Sequence, residues 1–415
     1  MTRACLARSR APRPQLRFAY FLTQGVVNAR LVLRTNLDAV AIARTLARVL
    51  TAAPGAEPLT GSDLLGRPLS GPEAAKMSAF WEENLRAVLN LFRAEMDAIE
   101  AGLYKLPYDL NPLSAPGAAN APPPAAGPLG GLLSALPLPP LPLPPPLAQQ
   151  WDPVRVAATA AAYMRDQAAV AARREAKNGT EVAAALDPSA ADRYPKYFLQ
   201  NFHWQSGGWL SAESAELYDY QVETLFLGSA DAMRRRAMPA ISRFAAEPRF
   251  AAAAGGMRLL DAATGTGRFL SFVLDSFDNV RAVASDLSPP YLNKAREVLQ
   301  PWAPRVEAFL EANVEAIPQP DASFDAVTCV YLFHELPGSA RRAAAAEFAR
   351  LLRPGGRLFF VDSAQQGDGA RSGMPTANDM ALEGFPKFSH EPYYLDYTRE
   401  NLTVRPHAPP LRRHT

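Results

Sequence analysis

This 415-residue sequence predicts an α/β fold built on a doubly wound, mostly parallel sheet, with a helical N-terminal extension. Three observations carry the prediction. From Gly256 onward, short apolar runs alternate with stretches of helical spacing, the pattern of parallel strands joined by crossover helices. The run ending at Asp261 leads through the small-residue loop Ala-Ala-Thr-Gly-Thr-Gly into a helix. The first two runs both end in an acid, Asp261 and Asp286, at the strand ends where sheets of this kind bind ligands.

The strands are expected at 257–261, 279–286, 324–333 and 357–363, all near-continuous apolar runs suited to burial on both faces. Helices are expected at 268–276, 290–300 and 339–352. Ahead of them, the stretch from Arg193 is dense in aromatics and turns at Gly207-Gly208. It then offers Ser211 as an N-cap, with Glu213 and Glu216 in the first turn of a helix. Leu217, Tyr218, Val222 and Leu225 mark one face of that helix. Further upstream, Phe80, Leu85, Val88, Leu89, Phe92 and Met96 form an apolar stripe over 72–100, and 153–187 is Ala-rich and helix-prone.

From Asn111 to Trp151 there is no charged residue, and 112–147 holds 13 prolines. Proline removes backbone donors, so this segment is read as a disordered linker or insertion. The expected organisation is a targeting segment over 1–37, a helical extension over 38–110 and the linker over 111–151. A helical segment follows over 152–192, then the α/β domain with its lid helix over 193–400 and a disordered tail over 401–415.

Charge is unevenly placed. Residues 1–37 carry seven Arg and no acid, and the last 17 residues carry four Arg against Glu400, which leaves −8 of the total +2 for 38–398. A mildly acidic body argues against a nucleic-acid surface, which needs clustered Lys and Arg. The acid-free, Arg-rich start has the composition of an organelle transit peptide, here read as plastid, with mitochondrion or cytoplasm as alternatives. The apolar patch 18–27 is too short to span a bilayer and no other stretch suits, so no transmembrane segment is expected. The two cysteines, Cys5 and Cys329, supply neither a disulfide framework nor a Cys-based metal site.

Gly265 and Gly267 let the backbone approach a ligand closely, and the helix N-terminus behind them offers free N–H groups. Asp286, nineteen residues after Gly267, ends the next strand, where an acid can accept bonds from two ribose hydroxyls. Two readings compete for such a loop. A dinucleotide-binding domain asks for a third glycine where Leu270 stands, and has no need of an acid ahead of the loop. With Asp261 in that place, the sequence resembles the class I S-adenosylmethionine-dependent methyltransferases, whose first motif runs apolar strand, acid, Gly-rich loop. ANVEAIPQPDASFDAV (312–327) resembles that family's third and fourth motifs as found in the quinone-type (type 11) enzymes. LLRPGGRLFFVDS (351–363) resembles the helix, turn and fifth strand that follow. The segment from Tyr194 to Tyr397 is similar to a group of cyanobacterial and plastid methyltransferases.

The resemblance implies a Rossmann-like sheet, S-adenosylmethionine as cofactor and a small-molecule methyl acceptor of quinone, phenolic or lipid-like kind. It implies that the backbone of Thr264–Gly267 cradles the methionine moiety and that Asp261 meets its ammonium, directly or through water. Asp286 would hold the ribose, and Leu287 would pack on the adenine. Asn313, with Val314 beside it, stands where many relatives carry Asp, and its amide oxygen could accept the adenine amino group. Ala263 replaces the loop's first glycine, which requires a negative φ at that position.

For chemistry, VYLFHELPG (330–338) places His334 and Glu335 after the fourth strand. A zinc-protease His-Glu-x-x-His is excluded, because position 338 is Gly338, and no metal is expected. His334 is a candidate general base or substrate-orienting group. The alternative reading is that His334 and Glu335 bond backbone at the start of the next helix, and the residues leave both open. His203, Trp204, Tyr218 and Asp219 form a second group, with Tyr218 as lid residue; ordinary core packing is the alternative for Trp204 and Trp209. Asp362 and Ser363 could line the pocket, and 390–397 could add a substrate loop. Pro406, Pro409 and Pro410 stand where the family's last strands form, so the sheet is expected to lack two strands and expose an edge. A non-catalytic cofactor-binding scaffold and an NAD(P)-dependent oxidoreductase are the rival functions.

Overall fold

The computed structural model describes residues 72–108, 153–185, 191–226, 228–252, 255–368, 380, 382–386, 389–400 and 402. The expected targeting segment, the Pro-rich run and the tail beyond Leu402 lie outside them. In chain order the elements used below are α1 (Pro72–Glu100), α2 (Pro153–Ala176), α3 (Ala212–Leu225), α4 (Ala230–Arg234), α5 (Met238–Ala245), β1 (Met257–Ala262) and α6 (Arg268–Ser276). They continue with β2 (Val280–Asp286), α7 (Pro289–Val298), β3 (Val306–Glu311), β4 (Phe324–Val330), α8 (Gly338–Leu351), β5 (Leu352–Val361) and α9 (Tyr394–Arg399).

The five strands form one parallel sheet in the order β3-β2-β1-β4-β5. The order reverses between β1 and β4, and a crevice opens beyond the carboxyl ends of strands at such a switch point. Along β1, Leu259 faces one core and Leu260 and Ala262 the other, as the two-residue period of a strand requires. The first core packs the sheet against α5, α6 and the distant α1, through Phe92, Met96, Ile241, Phe244 and Phe272. The second packs it against α8 and α9, through Phe348, Leu351 and Tyr397. A third, smaller cluster of Phe202, Trp209, Ala215 and Tyr291, with Tyr218 against it, joins the segment ahead of the sheet to α7. Among the described residues, no helix is long and apolar enough to cross a membrane.

Three expectations need correction. The fourth strand stops at Val330 rather than continuing to 333, because Tyr331 adopts φ +57° while donating its N–H to Val361 O. Phe333–Glu335 then form a single 3-10 turn. The fifth strand begins at Leu352, with a register shift that lets Arg353–Gly356 bulge out before pairing resumes at Arg357. The third strand was not located at all: VEAFLE is a half-exposed edge strand whose polar residues hide its pattern. Among the described residues β5 stands at the other edge, with Leu358 exposed.

The N-terminal helix is tied to the turn between α4 and α5 by a buried ion pair. Glu95 of α1 accepts from Arg235 Nε and, at 3.1 Å, from Arg235 Nη2. The Tyr104 hydroxyl also donates to Glu95, and the Arg235 guanidinium lies 4.5 Å from the Phe272 ring centroid. Removing one partner of such a pair leaves an uncompensated buried charge, at a cost of about 3–5 kcal/mol. Glu95→Ala is therefore expected to lower the urea midpoint sharply, while the paired change Glu95→Met with Arg235→Met costs much less. Equal losses in the two variants would contradict this reading.

Candidate functional site

Beyond the carboxyl ends of β1, β2 and β4 lies a cavity of roughly 750 Å3, counting its open mouth. Its floor is Ala263, Gly265, Asp286, Leu287, Asn313 and Val314, and its cover is the aromatic set Tyr197, Phe198, Phe202, Trp209, Tyr218 and Tyr291. A smaller cavity of roughly 360 Å3 shares Tyr218, Ala263, Gly265, Val330 and Tyr331 with it, and runs on to Asp261, Thr264, Arg234 and Arg268. The glycine loop separates the two spaces.

The loop is shaped by its own hydrogen bonds. Thr264 N–H donates to Ser285 O at 2.8 Å, and Gly267 N–H to Thr264 O at 2.9 Å. Gly267 has φ +77°, and a Cβ there would lie 3.1 Å from Leu299, so the residue seats α6 against α7. Gly265 has φ +56°, yet a Cβ there would meet nothing within 4 Å. The backbone at Gly265 thus faces open space in both cavities. Ala263 corrects the sequence expectation: its φ is +55°, so an L-residue carries left-handed backbone where a glycine would be unstrained.

Asp261 is buried at the end of β1 and accepts the hydroxyls of Thr264 and Thr328, each at 2.6 Å. Burial pushes its pKa up to about 6, against those two bonds, which lower it. Among the described residues no basic side chain pairs with it. Asp286 ends β2 with its carboxylate shared between Gly265 N–H (2.8 Å) and Ser288 N–H (2.9 Å); burial raises its pKa. One carboxylate therefore braces both the glycine loop and the start of α7. Asn313 accepts Glu315 N–H at 3.0 Å, and Tyr197, whose hydroxyl is 2.5 Å from Glu315 Oε1, stands 3.5 Å from the same amide oxygen. That oxygen thus has the Glu315 N–H as its short partner and the Tyr197 hydroxyl as a long one.

His334 and Glu335 diverge. Glu335 lines the main cavity and His334 does not. The His334 ring turns away to hydrogen-bond Asp362 through Nδ1 at 2.6 Å, edge-on to Tyr394 and Tyr397. Asp362 in turn accepts the N–H groups of Leu332, Phe333 and Ser363, so it fixes the turn that carries Glu335. Burial alone would lower the His334 pKa; Asp362 outweighs it and holds it at about 9. His334 Nε2 lies 3.9 Å from Glu335 Oε1. Of the two, Glu335 lines the cavity, and His334, read from the sequence as a candidate base or orienting group, stands behind it.

His203 stands behind Glu335, outside the cavity lining, with Nε2 3.5 Å from Glu335 and Nδ1 3.0 Å from Glu391. Burial would lower its pKa, but the carboxylates on either side, Glu391 first, hold it near 10. Burial raises the pKa of Glu335, with His203 opposing. His203 and Trp204 both carry left-handed backbone, φ +55° and +59°.

Tyr218 borders both cavities, edge-on to Trp209 and Tyr291 at 5.7 and 5.5 Å, and burial raises its hydroxyl pKa well above normal. Trp209 lines the cavity, whereas Trp204 lies outside it, its ring tilted against His390 at 4.7 Å. Asp219 accepts the Thr266 hydroxyl at 2.9 Å, and neither Asp362 nor Ser363 lines either cavity. Sequence reading missed Thr328, Tyr331, Arg234 and Glu391. Of these, only Thr328, one strand over in register with Asp261, follows from pairing β1 with β4.

Part of the chain is similar in sequence to known proteins. Residues 259–356 match the family model described as "Methyltransferase domain". The chain is 36% identical over 151 residues to a demethylmenaquinone methyltransferase of Deinococcus radiodurans, covering 36% of this chain and 57% of the relative. It is 33% identical over 151 residues to a demethylmenaquinone methyltransferase of Thermus thermophilus, covering 36% and 63%. A ubiquinone/menaquinone biosynthesis C-methyltransferase UbiE of Syntrophotalea carbinolica is 34% identical over 114 residues, covering 28% and 47%. The chain thus spans about half to three fifths of the length of the curated relatives it matches. Residues 259–356 thus resemble a methyltransferase domain in sequence, over a segment that contains the glycine loop and most of the parallel sheet.

Proposed function

We propose that this methyltransferase domain binds S-adenosylmethionine across the glycine loop and methylates a small, apolar aromatic acceptor of quinol or phenol type. The observation that carries the reading is Asp261, a buried carboxylate with hydroxyl partners and no described cation, beside a glycine whose missing side chain leaves the space open. A carboxylate so placed fits an ammonium group. Asp286 fits ribose hydroxyls, and Leu287 and Val314 offer apolar faces to adenine. Arg234 and Arg268 are the cations on the wall of the smaller cavity, where a carboxylate end would sit. The bound cofactor supplies an electrophilic methyl group on a sulfonium.

The protein's own residues then do the remaining work. The aromatic cover excludes water and holds a flat acceptor by stacking and burial. Glu335, the polar group of that wall, accepts the acceptor's hydroxyl proton as the nucleophile forms. Asp362 and His334 hold Glu335 from behind. The relatives named as demethylmenaquinone methyltransferases support a quinone-like acceptor for this chain as well. Incubating the full-length chain with methyl-labelled S-adenosylmethionine and a panel of quinols, phenols and lipids tests the reading. Label in a quinol or phenol is expected, and label in no member would sink the acceptor assignment. The Arg-rich residues 1–37 support a plastid location, checked by import of a tagged precursor into isolated chloroplasts.

Asp261 also makes binding depend on pH. A cationic ligand prefers the ionised carboxylate, so affinity should be level above pH 6 and fall below it. Between pH 7 and pH 5 the dissociation constant is expected to rise about tenfold, and Asp261→Asn should flatten the profile while weakening binding throughout. In the free protein the sign is opposite. The folded pKa lies above the unfolded value, so this group's contribution to stability is complete below about pH 4 and is lost as pH rises through about 6. Calorimetric titration across that range, with thermal melts of the free chain, checks both halves.

A further inference from the structure

We propose that His203, Glu335 and Glu391 bind a divalent transition-metal cation at the acceptor end of the main cavity. Each residue offers one ligand atom, and the three atoms lie within 4.8 Å of one another. The three come from remote places: the 3-10 turn at Phe202–Trp204, the turn after β4, and the residue three before α9. His203 N–H donates to His390 O at 3.2 Å, which pins the segment carrying Glu391 beside the imidazole.

Glu391 supplies the second, independent observation. Its side chain is fully buried, and neither carboxylate oxygen receives a hydrogen bond. His203 Nδ1 lies 3.0 Å from Oε1, an ion pair when the ring is protonated, and the same nitrogen lies 3.0 Å from Ser389 Oγ. Without metal the charge of Glu391 is balanced by the His203 imidazolium 3.0 Å away; a coordinated dication takes that place, and the imidazole releases its proton to become a ligand.

The donor set narrows the ion. One imidazole with two carboxylates suits zinc, manganese or cobalt; calcium and magnesium prefer all-oxygen shells, and copper(I) prefers sulfur. Three protein ligands leave a coordination position free, as catalytic sites do, and Glu335 places it on the cavity side. The Asp362–His334 pair behind Glu335 has the form of an outer shell that orients a metal-binding carboxylate. A cation held there would take a hydroxyl oxygen of the acceptor and favour its ionised form, at the same end that the Glu335 carboxylate serves without metal.

The claim stands apart from the methyl-transfer reading, because its test contains no cofactor. The full-length chain, stripped with EDTA, is titrated calorimetrically with Zn2+ alone and with Mn2+ alone. One saturable site per chain is expected, lost in both Glu391→Gln and His203→Gln. No saturable uptake by the wild-type chain, or uptake unchanged in the variants, would overturn the proposal. A thermal melt of each variant reports whether its fold is intact. Should a variant unfold, Co2+ added to the wild-type chain decides: d–d absorption of a mixed nitrogen–oxygen site supports the proposal, and its absence contradicts it.

Discussion

Replacing Asp286 by Ala is expected to weaken S-adenosylmethionine binding by at least about a hundredfold. Two hydrogen bonds from ribose hydroxyls to a carboxylate are worth about 1.5–3 kcal/mol each, and about 1.4 kcal/mol is a factor of ten. The carboxylate also braces Gly265 N–H and Ser288 N–H, so its loss loosens the cradle as well as the ribose contact. Asp286→Asn keeps the size and can keep one of the backbone bonds, so it should fall between wild type and Ala. Calorimetry on the full-length chain measures the effect, with a thermal melt to show that the sheet is intact. A dissociation constant within threefold of wild type in the Ala variant would place the ribose elsewhere.

The second large effect belongs to turnover. Glu335→Gln is expected to lower kcat by about a hundredfold or more, within the range of a positioned general base, and to leave cofactor affinity nearly unchanged. The side chain lines the main cavity, and among the described residues no hydrogen bond joins it to the glycine loop. His334→Gln should cost less, because the ring sits behind Glu335 and works through Asp362. Single-turnover rates with saturating cofactor separate the two. If His334→Gln proved the more damaging, the proton would pass through the imidazole and Glu335 would only shape the wall.

The glycine-loop half of the candidate site was legible in the sequence because it is local. Asp261, Thr264, Gly265 and Gly267 sit on one strand–loop–helix unit, and the helix predicted at 268–276 forms over Arg268–Ser276. The backbone strain at Ala263 was not legible, since φ follows from how β1 and β4 turn the loop, and an Ala-Ala pair reads as ordinary. The acceptor half was hidden for a different reason. Glu335, His203 and Glu391 meet only after β4 ends early at Tyr331 and the segment before α9 folds back over the turn at His203. His334 drew notice as the imidazole of the pair, yet the left-handed Tyr331 sets the phase of the turn and gives the cavity to its neighbour. The edge strand β3 escaped because its half-exposed residues lack the continuous apolar run that marked the central strands.

The central claim is that the glycine loop at the β1–β4 switch point holds S-adenosylmethionine. Parallel calorimetric titrations of the full-length chain with S-adenosylmethionine and with NADPH test it directly. The account predicts one saturable site for S-adenosylmethionine, lost in Asp286→Ala, and no binding of NADPH. Saturable NADPH binding with none of S-adenosylmethionine would contradict it.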